Sequence, residues 1–266
     1  MWLINGEWQT HIAAGDRATQ FGDGCFTTAR VVQGEVRFVD DHLTRLAQGC
    51  DRLGISAPRE DVLALEMREL AAGQARATLK VMITRGEGGR GYSTIGCDRP
   101  SRLLHLAPWP AYYDEWRQRG IHLILSPVPL GCNPWLAGIK HLNRLEQVLI
   151  RTHLEQTTAD EALVLDSEGW LTECCAANLF WRKGKSVYTP VLDRAGVNGT
   201  MRQRIIRLLE VSPWRLHEVR ERPDTLADAD EVLVCNALMP VLPVRQIEQW
   251  RYSCRELYQF LLPGCE

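Results

Sequence analysis

The strand-like runs of this chain are short, are joined by tight turns, and never alternate strictly with helices, and this constrains its fold more than any other feature. Trp2-Leu3-Ile4 and Glu7-Trp8-Gln9 flank Asn5-Gly6, a strong hairpin signal. Residues 162–165, the turn Asp166-Ser167-Glu168-Gly169, a return strand, residues 178–181, the turn Lys183-Gly184-Lys185 and Val187-Tyr188 repeat the theme. Further strands are expected over 25–32, 77–84, 103–109, 121–125 and 232–235. Leu43, Leu46, Ala47, Cys50 and Leu53 recur at helical spacing between Asp40 or Asp41 and Gly54, which predicts a capped helix. Other helices are expected from Pro58 to about residue 72, over 141–156, after Gly199, and over 256–262. Mixed helices and hairpins without a regular strand–helix–strand rhythm make the class α+β. A chain of 266 residues holds one large domain or two modest ones. Pro108 and Pro110 bracket a linker, so the expected division is a smaller N-terminal lobe over 1–109, a linker over 110–116, and a larger C-terminal lobe over 117–266 that carries Lys140.

Composition removes several function classes. The chain is 45% apolar and 24% charged, which is ordinary for a packed globular protein and unlike a disordered one. A net charge of −2 gives no general pull toward nucleic acid. No apolar run approaches the roughly 18 residues that a membrane span needs. The first residues lack a basic start followed by an apolar stretch, so no secretory signal is expected. Nine cysteines, an odd number with no C-x-x-C pair, read as reduced thiols in the cytoplasm and not as a metal site.

Gly86-Glu87-Gly88-Gly89-Arg90-Gly91 fits the dinucleotide pattern G-x-G-x-x-G and follows a strand. Residues 92–100 that come next are turn-rich, so no helix opens to receive a pyrophosphate. The segment reads as a flexible loop, with Arg90 available to an anionic ligand. No H-E-x-x-H or G-x-S-x-G occurs. Only four of the 31 basic residues are lysines. Lys183 and Lys185 flank a turn glycine, and Lys80 alternates onto the polar face of its strand. Lys140 instead follows Leu136-Ala137-Gly138-Ile139; an amine in apolar surroundings loses stability as ammonium and becomes a usable nucleophile. Glu173 sits between a strand and the small-residue turn Cys174-Cys175-Ala176-Ala177, and a buried glutamate there needs a cationic partner. A protonated pyridine nitrogen is one such partner. Gly196-Val197-Asn198-Gly199-Thr200-Met201-Arg202 opens a helix whose free N–H groups suit a phosphate, and Cys235-Asn236-Ala237 offers a second small-residue turn. The order lysine, glutamate, phosphate turn joins these signals.

With residues 16–28, residues 138–147, and Asp166-Ser167-Glu168-Gly169 through Asn178-Leu179-Phe180, the sequence resembles the fold type IV pyridoxal-phosphate enzymes. That family includes branched-chain aminotransferase, D-amino acid aminotransferase and aminodeoxychorismate lyase, and the likeness to the lyases runs through nearly the whole chain. It implies the two-lobed D-amino acid aminotransferase-like architecture and pyridoxal 5′-phosphate as cofactor. Lys140 would bond the cofactor, Glu173 would pair its ring nitrogen, and Arg45 in His42-Leu43-Thr44-Arg45-Leu46 would bind its phosphate. Thr200, Met201, Asn236 and Ala237 fall on the phosphate turns. Arg90 and Tyr92 match a loop that holds a substrate carboxylate, often across a dimer interface, and Phe26 and Thr28 share the pocket face of their strand. On a helical wheel Arg45 lies away from the apolar stripe, so pattern alone puts it in solvent and only the resemblance makes it a ligand. Position 145 is leucine where branched-chain aminotransferases have a tyrosine nearby. The implied activity is a lyase turning 4-amino-4-deoxychorismate into 4-aminobenzoate and pyruvate for folate biosynthesis, in a cytoplasmic homodimer with a small-molecule substrate and no nucleic-acid or membrane partner. Lys140 and Thr28 are the expected catalytic residues. The alternative is an aminotransferase for D- or branched-chain amino acids.

Overall fold

The computed structural model describes all 266 residues, which form two compact units. The first comprises residues 1–109 and 139–143. Its elements are β1 (Trp2–Ile4), β2 (Glu7–Gln9), α1 (Arg17–Phe21), β3 (Gly24–Val32), β4 (Glu35–Val36), α2 (Val39–Leu53), α3 (Glu60–Ala71), β5 (Arg76–Thr84) and β6 (Ser101–Pro108). The strands make one antiparallel sheet in the order β2-β1-β6-β5-β3-β4. Asn5 and Gly6 both have positive φ, 53° and 88°, the pair that a two-residue hairpin turn demands.

Side-chain alternation decides what each face of this sheet does. Cys25, Ala29 and Val31 on β3 and Leu79, Val81 and Ile83 on β5 point to one face. There Leu43, Leu46 and Cys50 of α2 and Leu63, Met67 and Leu70 of α3 cover them. Phe26 and Thr28 take the opposite face and remain half-buried, with Lys80 and Met82 beside them on β5.

The second unit comprises residues 110–138 and 144–266. Its elements are α4 (Tyr112–Arg119), β7 (Ile121–Leu125), α5 (Leu145–Leu154), β8 (Glu161–Leu165), β9 (Leu171–Cys174), β10 (Asn178–Lys183), β11 (Ser186–Pro190), α6 (Thr200–Glu210), β12 (Arg215–Val219), β13 (Glu231–Cys235), β14 (Leu242–Ile247), β15 (Trp250–Arg251) and α7 (Glu256–Cys265). The sheet is mixed, in the order β12-β11-β10-β13-β14-β7-β8-β9, with β15 on β14. Leu123, Leu163, Leu179, Trp181, Val232, Val234 and Leu242 are at most 1% exposed and form its core.

Three expectations are corrected. The stretch assigned to a linker, 110–116, contains the start of α4, whose Tyr112, Tyr113 and Trp116 rings pack on one another. The helix expected over 141–156 begins only at Leu145. Residues 139–143 stay out of the helix because their backbone bonds to β3: the Phe26 amide donates to the Lys140 carbonyl and the Leu142 amide to the Gly24 carbonyl, each at 2.9 Å. For the same reason Lys140 belongs to the first unit and not to the C-terminal lobe.

His42 ties α2 to β3, with its Nδ1 2.6 Å from Thr27 Oγ1 and only 1% of the residue exposed. Burial, helped by the Arg45 charge, lowers its pKa to about 3 from the usual 6.5. Below pH 6.5 the unfolded chain binds a proton here that the folded chain refuses until about pH 3. Stability from this group is therefore complete above pH 6.5 and lost as the pH falls toward 3, by about 1.4 kcal/mol per unit. Urea unfolding at stepped pH should show that slope in the wild type and a shallower one in His42→Asn. An unchanged slope in the variant would contradict the assignment.

Candidate active site

In the first unit the structure brings Lys140, Phe26, Thr28 and Lys80 together. The Lys140 Nζ stands 4.7 Å from the Phe26 ring centroid, and the Lys80 Nζ stands 5.1 Å from the same centroid. Thr28 lies directly opposite Lys80 in the β3–β5 register. Gly24 makes the arrangement possible: a Cβ there would come within 2.4 Å of the Ile83 carbonyl and 2.8 Å of Leu142. Lys80 is thus not a solvated lysine on a polar face; it is half-buried against an aromatic ring, and burial lowers its pKa.

Arg45 lies on α2, the helix whose Leu43, Leu46 and Cys50 cover β3. It is half-buried, and its enclosed Nε has no hydrogen-bond partner. Burial lowers its pKa to about 10, which still leaves it charged at neutral pH. The wheel reading of a solvated Arg45 therefore fails, because a neighbouring part of the fold encloses a side chain that the helix alone would expose. Arg90 and Tyr92 lie on the exposed loop between β5 and β6. No helix follows the loop's glycines, so the dinucleotide pattern is a decoy.

In the second unit the ends of β9, β10 and β13 meet the start of α6. Glu173 on β9 is 5% exposed, and its Oε2 accepts the Val197 amide at 2.8 Å. Asn178, the first residue of β10, donates to the Val197 carbonyl at 2.8 Å and accepts the Gly199 amide at 3.2 Å. The 196–199 turn is thus pinned by two buried side chains and delivers α6 to a fixed place. A Cβ on Gly199 would lie 2.1 Å from Asn178 Oδ1, so only glycine allows this approach. No side chain caps α6, yet Thr200, Met201 and Arg202 in its first turn are all buried. On β13's exit, Asn236 spends its side chain on its own turn: Oδ1 accepts the Leu238 and Met239 amides, and Nδ2 donates to the Ala176 carbonyl. The Asn236-Ala237 turn is thereby tied to the loop that follows Glu173.

A family model for amino-transferase class IV matches residues 24–247. The chain belongs to that family. It is 37% identical to the aminodeoxychorismate lyase of Vibrio harveyi over 248 residues, covering 93% of this chain and 91% of that protein. Its structure is similar to that of 4-amino-4-deoxychorismate lyase from Pseudomonas aeruginosa, with a TM-score of 0.92, 34% identity, and coverage of 99% and 98%. It also shares its fold with the Escherichia coli branched-chain amino acid aminotransferase, with a TM-score of 0.86, 20% identity, and coverage of 97% and 91%. The architecture is the fold type IV one.

The residues present fit the phosphorylated cofactor of this family, pyridoxal phosphate. A buried, uncapped helix start has amide donors and a positive dipole end that call for an anion. The enclosed guanidinium of Arg45 calls for one too. Glu173 supplies a buried carboxylate for a ring nitrogen. Two contributors escaped the sequence reading of this class IV chain. Asn178 was legible only as the end of a motif, because its partners lie 19 and 21 residues away. Lys80 was legible as a strand lysine, but strand alternation alone also puts it beside Thr28 once β3 and β5 are paired.

Proposed function

We propose that this chain is a pyridoxal-phosphate-dependent lyase that converts 4-amino-4-deoxychorismate into 4-aminobenzoate and pyruvate, the step that supplies 4-aminobenzoate for folate. The observation that carries the reading is its likeness, over nine-tenths or more of both chains, to the two lyases named above. The buried helix start beside the Glu173-bound turn supports the cofactor assignment.

When bound, the cofactor supplies an electron-withdrawing ring next to the substrate nitrogen. This chain's residues do the rest. Lys140 bonds the cofactor through its side-chain nitrogen. Its amine would also take the proton from the substrate carbon that bears nitrogen. Loss of that proton and of the enolpyruvyl group makes the substrate ring aromatic. Glu173 would hold its negative charge against the cofactor's ring nitrogen and favour that nitrogen's protonated form. Arg45, the amides of Thr200 and Met201, and the Asn236-Ala237 turn hold the phosphate. Gly138, which pairs with Val197 beside Glu173, is two residues from Lys140 in the sequence. Phe26, Arg90 and Tyr92 bind substrate, and Thr28 offers the leaving oxygen a hydroxyl.

The same reading makes the enzyme a cytoplasmic homodimer in which Arg90 serves the neighbouring subunit. Leu145, Val148 and Leu149 on α5 are exposed at helical spacing, with Trp135 exposed as well, and Tyr92 and Ile95 are exposed on the Arg90 loop. Association would cover such apolar surface. All nine cysteines are free thiols, as a reducing compartment would keep them, and no helix is long and apolar enough to cross a membrane.

Pyruvate release in a single turnover, after cofactor loading is confirmed by absorbance, tests the chemistry. Lys140→Ala should lose roughly a thousandfold or more, since one residue supplies two functions. Glu173→Gln should keep the cofactor but slow by about 10- to 150-fold, the worth of roughly 1.5–3 kcal/mol for a charged hydrogen bond. D-alanine and branched-chain amino acids should yield no keto acid. Near-normal turnover by Lys140→Ala, or keto acid as the main product, would overturn the reading.

Mixing Arg90→Ala and Lys140→Ala protomers tests the dimer. Random reassortment should restore about a quarter of wild-type activity by counting complete sites in a symmetric pair. Mixed dimers that form but stay inactive would place Arg90's action within its own chain.

A further inference from the structure

The roles proposed above leave several buried arginines unused, and one of them sits against the Arg90 loop. Arg17, on the short helix α1, is 4% exposed. Its Nε donates to Asp23 Oδ2 at 2.9 Å, while its Nη1 reaches the Gly91 carbonyl at 2.9 Å and the Ser93 carbonyl at 3.2 Å. These two carbonyls bracket the tip of the loop that begins at Arg90, and the Ser93 amide donates back to the Arg90 carbonyl at 3.1 Å. Below the tip, the Arg17 amide donates to the Gly86 carbonyl at 2.9 Å, and Asp16 forms a bridge with Glu87. Above it, the Tyr92 ring rests 5.4 Å from the Phe21 ring at the far end of α1. The Arg17 guanidinium itself lies 4.8 Å over Phe21. One five-residue helix therefore grips the stem, tip and aromatic crown of the same loop.

The grip is anchored in turn. Asp23 also takes Arg85 Nε at 2.7 Å and Nη2 at 3.1 Å. Arg85 spends its remaining donors on the Leu53 and Gly54 carbonyls at the end of α2, each at 2.7 Å. Burial would raise the Asp23 pKa, but the two arginines outweigh it and hold the carboxyl below its usual range. A carboxylate shared by two buried guanidiniums, each also bonded to backbone carbonyls, leaves Arg17 little freedom to move. Gly89 has φ +70°, and a Cβ there would strike the Ser93 carbonyl at 2.0 Å and approach Arg17 to 3.2 Å. The loop's close turn and the guanidinium that clamps it are thus fitted to one another.

We propose that Arg17 is the positioning residue for Arg90: by forking onto the Gly91 and Ser93 carbonyls it fixes where the Arg90 loop stands and so how tightly a substrate carboxylate is held. The proposal rests on the reading of Arg90 as a carboxylate-binding residue. Arg17 touches neither substrate nor cofactor. Its effect is on the entropy of the loop: a tethered Arg90 waits in place, whereas a free loop must be ordered anew with each substrate molecule.

The test compares Arg17→Gln, Arg17→Lys and Arg90→Ala in the cofactor-loaded enzyme. Arg17→Gln should raise KM about tenfold or more, with a far smaller fall in kcat and an unchanged cofactor absorbance. Arg17→Lys keeps a charge for Asp23 but replaces the fork by a single point, so its KM should fall between the two. A second readout needs no substrate. Trypsin should cleave after Arg90 faster in both Arg17 variants, while cleavage elsewhere stays as in the wild type; uniformly faster cleavage would mean general unfolding and would overturn the proposal. If Arg90→Ala raises KM and neither Arg17 variant does, the proposal falls and the reading of Arg90 stands. If Arg90→Ala leaves KM unchanged, the reading of Arg90 fails first and the proposal with it.

Discussion

Two backbone hydrogen bonds hold residues 139–143 against the start of β3, from the Phe26 amide to the Lys140 carbonyl and from the Leu142 amide to the Gly24 carbonyl. They stop α5 from beginning early, and they assign Lys140 to the first unit. They also aim its amine at the Phe26 ring. A lysine on a helix surface would sweep through several rotamers in water. A lysine on a paired segment has its backbone fixed, and only the side chain remains to be ordered. Gly24 lets β3, β5 and this segment meet, because a Cβ there would strike the Ile83 carbonyl of β5 and crowd the Leu142 side chain.

The second unit answers a different physical problem. A helix start has donors without partners, and burying it is unfavourable unless something anionic arrives. Here Glu173 and Asn178 spend their hydrogen bonds on the 196–199 turn, not on α6 itself. The start of α6 is fixed in place, and no side chain caps its first amides. The Asn236 turn is held in the same manner, by its own side chain and by the Ala176 carbonyl. Rigid framing of unsatisfied donors is what a phosphate site requires, since the anion then finds its partners already oriented.

Local signals were legible in the sequence. Asn5-Gly6 announced its hairpin, Gly199 announced a helix start, and the missing helix after Gly91 exposed the false dinucleotide pattern. Long-range ones were not. Leu142 and Leu145 have spacing that a helix would use, and nothing within ten residues reveals that β3 claims the backbone before Leu145. Arg45 looked solvated because a wheel shows one helix and not what encloses it. Arg17 and Asp23 act on partners 62 to 76 residues away, beyond any local pattern. The family resemblance supplied roles for Arg45 and Glu173 that periodicity could not.

The chain's scarcity of lysine makes the proposed bonding of the cofactor by Lys140 open to direct measurement. Among the side chains only Lys80, Lys140, Lys183 and Lys185 could be labelled. Borohydride reduction of the protein loaded with pyridoxal phosphate, followed by peptide mapping, should give one label per chain, on the peptide that contains Lys140. A label on Lys80, its neighbour across the Phe26 ring, or on no lysine at all would contradict the account.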